Sequence, residues 1–310
     1  MPGTTDCREL VERALSGCAS KLARQGPWRW RFSLDGRRGS GAVLAEVCWP
    51  WLSLTLRPAR RSGTMCAAAF PGLLKANAEL PGGARHALLS SRRIALCADV
   101  PLGDPEVDIE RRVRESCAGF TVAWAGGPGH PTDGGDRDVP FGSSDADRAG
   151  ACDARALLSA GRWPFREPEA GLVVELEGGR ASRQATVQQV GQGLLVCTEL
   201  GGWPSASGVC QDALSVFLLS ACGALRFGRA AMRSGDGGGM AIRYEVLLGP
   251  FPCTAEVDHA LSSLSVAWRV CGREVKALHD ERTASVYLAM QGYSSPHSQQ
   301  LPEGRKESRG

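Results

Sequence analysis

Apolar positions recur along the chain with two periods, and their alternation sketches the fold. From Asp6 to Gln25, Leu10, Val11, Ala14, Leu15, Ala19 and Leu22 share one side of a helix, with Asp6 and Glu9 at capping-box spacing and Gly26-Pro27 as its stop. Trp28, Trp30, Phe32 and Leu34 then alternate with Arg29, Arg31 and Ser33, the period of a half-buried antiparallel strand. Two further strands follow, over Ala42–Cys48 and through Leu52, Leu54 and Leu56. A helix over Met65–Leu80, which Pro71-Gly72 either kinks or starts, leads to a short strand near Ala87–Leu89 and a longer one in which Ile94, Leu96, Ala98 and Val100 point inward. Ile109, Val113, Cys117, Phe120 and Trp124 close this first stretch on one helical face.

The same order returns after a break. Asp153–Ala160 reads as a short helix, and strands follow at Leu172–Leu176, Ala185–Val190 and Leu194–Leu200. Asp212–Leu225 is the most apolar helical segment, with Asp212 as its expected cap and apolar residues around most of its circumference, so it must be buried. A strand over Arg226–Arg233, a Gly-rich turn at Gly235–Gly239 and a strand through Ile242, Tyr244, Val246 and Leu248 come next. Val257, Leu261, Leu264, Trp268 and Cys271 share the face of a last helix, and the pattern assigns no element to Thr283–Met290.

Laid over each other, the halves match in letters as well as in order, as a duplicated domain predicts. Ala42–Val47 falls on Ala185–Val190, Leu73-Leu74 on Leu218-Leu219, and Ala95–Gly103 on Ala241–Gly249, and each half ends with Val-Ala-Trp at Val122 and Val266. The expected fold is α+β: two tandem units, each a twisted antiparallel sheet of about five strands packed with about three helices. The units span residues 1–125 and 151–290, joined by a Gly-, Asp- and Pro-rich linker over 126–150 and followed by a polar tail over 291–310 that reads as disordered.

Composition narrows the function classes. A chain of 310 residues that is 43% hydrophobic can bury a real core. Its net charge of +3 is uneven, about +6 up to Ala125 and about −3 over 126–150, which hints at an acidic partner for the first half. The arginines Arg57, Arg60, Arg61, Arg92 and Arg93 form no dense stripe interleaved with aromatics, so the expectation is no nucleic acid. The start has no basic and apolar signal-peptide regions, and no apolar run approaches the roughly 20 residues that span a bilayer, so no membrane is expected. None of the 12 cysteines forms a C-x-x-C pair. Most, such as Cys97, Cys117, Cys197, Cys222 and Cys271, lie in apolar periodic segments, which points to free thiols in a reduced cytoplasmic setting.

Candidate chemistry is sparse. Gly235–Gly239 lacks the Gly-Lys-Ser/Thr of a phosphate loop and sits between strands as a hairpin turn. His86, His130, His259, His279 and His297 include no pair at helical ligand spacing, so no metal and no cofactor are expected. Asp104, Glu106, Asp108 and Glu110 read as acids at a helix start. No Cys lies in a nucleophile motif, which leaves an enzyme with a Cys/His or carboxylate site between the units as the alternative reading. Four tryptophans crowd the first sheet instead. Trp28, Trp30, Trp49 and Trp51, with Arg29 and Arg31, are the candidate groove for a client protein segment that adds as a strand or docks a helix.

The order of elements, with Leu73, Leu74, Ala76 and Asn77 in a helix followed by Ile94–Leu102 and Ile109–Trp124, resembles the type III secretion chaperones and their YbjN-like relatives. A second copy lies at Leu218–Cys222, Met240–Leu248 and Val257–Cys271, and the likeness covers about two thirds of the chain. It implies a non-enzymatic protein in which paired units hold an extended client segment before secretion, without nucleotide. It also implies a helix at the dimer interface, so Leu73, Leu74, Asn77, Phe217, Leu218 and Cys222 are the candidate interface of an intrachain pseudo-dimer or a homodimer.

Overall fold

The computed structural model describes residues 4–19, 21–36, 39–57, 66–89, 92–126, 152–168, 171–176, 183–235 and 238–293. Within them the chain is α+β, with seven α-helices and two six-stranded antiparallel sheets. The first unit runs α1 (Thr4–Ser16), β1 (Leu22–Gly26), β2 (Arg29–Gly36), β3 (Gly39–Cys48), β4 (Trp51–Arg57), α2 (Phe70–Glu79), β5 (Arg85–Leu88), β6 (Ile94–Pro101) and α3 (Ile109–Gly126). The second repeats it as α4 (Ala154–Ala160), β7 (Phe165–Arg166), β8 (Leu172–Leu176), β9 (Arg183–Val190), β10 (Gly193–Gly202), α5 (Gly208–Ala224), β11 (Arg229–Ser234), β12 (Met240–Leu248) and α6 (Thr254–Ala277). One helix, α7 (Glu281–Gln291), has no counterpart.

The sheets have equivalent orders, β1-β2-β3-β4-β6-β5 and β7-β8-β9-β10-β12-β11. In the first, Leu52, Leu54, Leu56, Leu96 and Val100 face a core closed by Val11 and Leu15 of α1 and Val113 and Phe120 of α3. In the second, Val196, Ile242, Tyr244 and Val246 pack under Val257, Leu261 and Leu264 of α6. The other two helices cross over. Helix α2 packs more extensively on β11 of the second sheet than on its own β5, and α5 packs more extensively on β5 than on its own β11. This reciprocity joins the units and explains the all-round burial of α5, where Val216, Leu218, Leu219 and Cys222 are all inaccessible.

Several elements differ from the pattern. The first helix stops at Ser16, and Leu22–Gly26 forms a sheet-edge strand instead of a helical extension. Helix α2 starts at Phe70 with Pro71 in its first turn, where a missing N–H costs nothing. Helix α5 begins before Asp212: Ser207 is the cap, its Oγ accepting from the Cys210 N–H at 3.4 Å, while Asp212 is buried within the helix. Thr283–Met290 belongs to α7, whose Asp280 cap accepts from the Thr283 N–H. Gly292 and Tyr293 of the expected tail are ordered, Tyr293 packing on Phe70 at 5.8 Å; residues 294–310 and the linker positions 127–150 lie outside the described residues.

The repeat also needs one change of register. Leu52 pairs with Val47 and Val100, and Val196 with Val187 and Val246, so Val47 corresponds to Val187 and Ala45 to Ala185. Matching Ala42 to Ala185 shifts the strand by an odd number of residues, which turns every side chain to the wrong face. The cause is a β9–β10 hairpin longer than the Cys48–Trp51 turn of unit one.

Candidate functional site

The six groove candidates separate into three environments. Trp30 is 1% exposed, and its indole N–H donates to Glu12 Oε1 at 3.0 Å, pinning α1 to the sheet. It belongs to the core because β2 turns its tryptophan face inward, so it cannot line a groove. Trp51, one residue out of phase with Leu52, faces the second unit and packs against Phe227 at 5.3 Å and His259 at 5.2 Å. Solvent is left to Arg29, Arg31 and Trp49, whereas Trp28 packs against the first core beside Trp30. Trp49 is 52% exposed and lies over Gly103, where a Cβ would meet the ring at 2.8 Å. Trp28 is half-buried at the same end of the sheet, its carbonyl accepting from the Val47 N–H at 3.0 Å.

Strand β1 forms one end of the first sheet, and no described strand pairs with its outer side. Lys21, Ala23, Arg24 and Gln25 are exposed along it, and Arg31 stands opposite Ala23 on β2. Arg29 is engaged by Glu46 across β2 and β3. The edge is basic, and its backbone groups face outward.

The interface candidates converge at the junction of the units. Leu73, Leu74, Leu218, Cys222 and Asn77 are all buried there. Asn77 accepts from the His86 N–H at 2.6 Å and donates across the junction to the Ala230 carbonyl at 3.0 Å and to Cys222 Sγ at 3.9 Å. Cys222 Sγ does for unit two what Asn77 Oδ1 does for unit one, accepting from the Ala230 N–H at 3.1 Å. Phe217 is the exception: it faces α7 and packs on Tyr287 at 6.3 Å.

Charged groups complete the junction, and sequence reasoning missed them. Arg85 pairs with Asp99 at 2.5 Å and donates to the carbonyls of Cys222 (2.7 Å) and Leu225 (3.2 Å), at the C-terminal end of α5. Its counterpart Arg229 pairs with Glu245 at 3.0 Å and donates to the carbonyls of Leu80 (2.5 Å), at the end of α2, and Ala84 (3.2 Å), just before β5. Each guanidinium thus satisfies an orphan carbonyl at the end of the other unit's helix, where the dipole favours a cation. Arg226 adds a second cation to Asp99 at 3.0 Å, and Arg233 a second to Glu245 at 2.8 Å. Burial pushes both carboxyls up, but Arg85 with Arg226, and Arg229 with Arg233, outweigh it and hold both below the usual range. Arg112 of α3 binds Glu256 of α6 through two N–H groups, one of them at 2.6 Å, and Glu115 at 2.6 Å. A cavity of about 20 Å³ lies among Asp99, Arg112, Glu115, Arg229 and Glu245, room for a single water. An acid recurring at one place in two largely apolar strands, as Asp99 and Glu245 do, is the signal that was available.

Other reactive groups lie apart. Burial lowers His86 to about 4, which keeps it neutral, and His279 hydrogen-bonds the Val275 and Gly202 carbonyls. Cys18 is brought down to about 7 by a hydrogen bond with Cys117, despite its partial burial, with help from Arg114. The expected hydrophobic cysteines Cys97, Cys117, Cys197, Cys222 and Cys271 are all buried. Among the described residues no three His, Cys, Asp or Glu side chains group as metal ligands, and no helix is long and apolar enough to cross a membrane. No protein-family model matches the chain, and no curated protein or solved structure matches it.

Proposed function

We propose that this chain acts by binding: it is a chaperone-like protein that holds an extended, acidic client segment, and the edge of the first sheet is where the client adds. The observation that carries this reading is the open outer side of β1, basic at Lys21, Arg24 and Arg31. An extended segment gains main-chain hydrogen bonds along such an edge, and alternate side chains reach the neighbouring pockets. Acidic residues on the client would offset a strip whose cations have few acids beside them. The crossing of α2 and α5 suits the paired-unit architecture that the resemblance to secretion chaperones implies, and the buried thiols suit a reduced cytoplasmic setting. A secretion client is one member of this class.

The test is titration with a labelled peptide alternating valine and glutamate, followed by fluorescence anisotropy. The pairs Arg24→Glu with Arg31→Glu and Lys21→Glu with Arg24→Glu each weaken binding by roughly tenfold or more while leaving the unfolding midpoint in place, because all three side chains are solvent-exposed. Equal affinity in wild type and both variants rejects the β1 edge as the client site.

A further inference from the structure

We infer that the junction is built for two unlike halves: each half of this chain fits the other and not a second copy of itself. In a two-fold interface, residues on the axis meet their own equivalents. Two such meetings occur here. Asn77 and Cys222, 145 residues apart, occupy the same place in α2 and α5, as Leu73-Leu74 and Leu218-Leu219 do, and their side chains touch at 3.9 Å. Arg112 and Glu256, 144 residues apart, occupy the same place in α3 and α6, in register with Val113 and Val257 and with Trp124 and Trp268, and they form a bidentate ion pair.

Both axial pairs are complementary and unlike. Arg112 is 6% exposed and Glu256 is inaccessible, so pairing like halves would bury Arg112 against Arg112, or Glu256 against Glu256. Removing the partner of a buried charge is among the most destabilising changes known, and opposing it with a like charge is worse. Glu256 is held in place as well, since it also accepts from the Cys253 N–H at 3.0 Å at the start of α6. A third asymmetry points the same way. The residue after the C-cap of α5 is Arg226, which reaches Asp99 and Ser53 of unit one, whereas the residue after the C-cap of α2 is Pro81. Paired with a copy of itself, unit one would offer Asp99 no second cation from that position.

The full chain tests this through charge reversal. Arg112→Glu and Glu256→Arg each lower the folded-to-unfolded ratio by on the order of a thousandfold, and the double reversal in one chain regains part of it, because an acid at 112 stands beside Glu115 and a cation at 256 cannot accept the Cys253 N–H. The decisive arm mixes the two single variants. Neither closes on itself without a like-charge clash. In an exchanged pair, however, the first half of the Arg112→Glu chain meets the second half of the Glu256→Arg chain at one junction, and the unchanged Arg112 and Glu256 meet at the other. Unfolded together and refolded at equal concentration, the variants give a two-chain species holding one of each, seen by size-exclusion with light scattering, while each refolded alone does not. A double reversal whose loss equals the sum of its parents' losses overturns the inference, and so does a refolded mixture with no one-to-one species. Neither arm reads client binding, so the outcome is independent of the β1 edge.

Discussion

Asp99 and Glu245 stand at the same place in the two sheets, each bound to an arginine of its neighbouring edge strand, but they draw their second cation from different sources. Asp99 takes Arg226 from the opposite unit, along with the Ser53 hydroxyl at 2.7 Å and the Phe227 N–H at 3.2 Å. Glu245 takes Arg233 from its own neighbouring strand β11, and Arg233 reaches across only to the Ala78 carbonyl at 2.8 Å. Unit one therefore draws the second cation on its central carboxylate from unit two, while unit two supplies both of its own. The duplicate kept the position of the buried acid and changed how it is satisfied, which turns a repeated feature into a directional joint.

The largest effect expected from breaking this comparison comes from the acids themselves. Asp99→Asn leaves Arg85 buried without a counter-charge and loosens Arg226 from the joint, and it destabilises the chain by about 3–5 kcal/mol, read from urea unfolding. Glu245→Gln strands Arg229 in the same way, but Glu245 holds only Arg229 and Arg233, whereas Asp99 also holds the Ser53 hydroxyl and the Phe227 N–H, so its loss falls at the lower end of that range. Unfolding in two steps for Asp99→Asn, with a single step for Glu245→Gln, would show that only the first acid couples the units. Equal losses with identical cooperativity would remove the distinction between them.

A smaller effect separates the units by pH. His86 of β5 corresponds to Ala230 of β11: both backbone N–H groups donate to the side chain at the same place in the preceding helix, Asn77 or Cys222. Burial depresses His86 from 6.5 to about 4, so the unfolded chain binds its proton first as pH falls. Stability from this group is complete above about pH 6.5 and is lost toward pH 4, by about 3 kcal/mol in all. His86→Ala, which makes unit one like unit two here, flattens the dependence of the urea midpoint over that window. Asp99 and Glu245, both depressed, add acid lability only below the ordinary carboxylate range, near pH 4 and under. An unchanged slope between pH 6.5 and 4 in the alanine variant would place the effect elsewhere.

Much of this architecture was readable from periodicity, because one buried face per element leaves a regular trace. The repeat, the α+β class and the helices α3, α5 and α6 come from that trace. What it could not show is partnership. Nothing in the pattern of Leu73 or Leu218 says that α2 lies on the other unit's strand, and the arginines of the junction meet carboxylates or carbonyls that can lie more than 140 residues away. The aromatic alternation of β2 correctly put Trp28 and Trp30 on one face, but a period of two does not say which face solvent keeps. Strand β7, two residues long, is too short to carry any period.

The smallest effect concerns two cations of β2 on the solvent side. Arg29 and Glu46 are 50% and 38% exposed, and an ion pair in water contributes no more than about 1 kcal/mol, against the several that the buried Arg112–Glu256 pair controls. Arg29→Ala therefore shifts the unfolding midpoint hardly at all. Its effect on peptide capture is also small, within about twofold, because Glu46 already offsets its charge and an acidic client would have to displace that carboxylate first. Arg31, opposite Ala23 of the edge strand, stands closer to an added strand than any residue of β3, so Arg31→Glu alone weakens capture by several-fold. If Arg29→Ala weakens capture as much as Arg31→Glu, the client lies across the face of the sheet, over β2 and β3, and not along its edge.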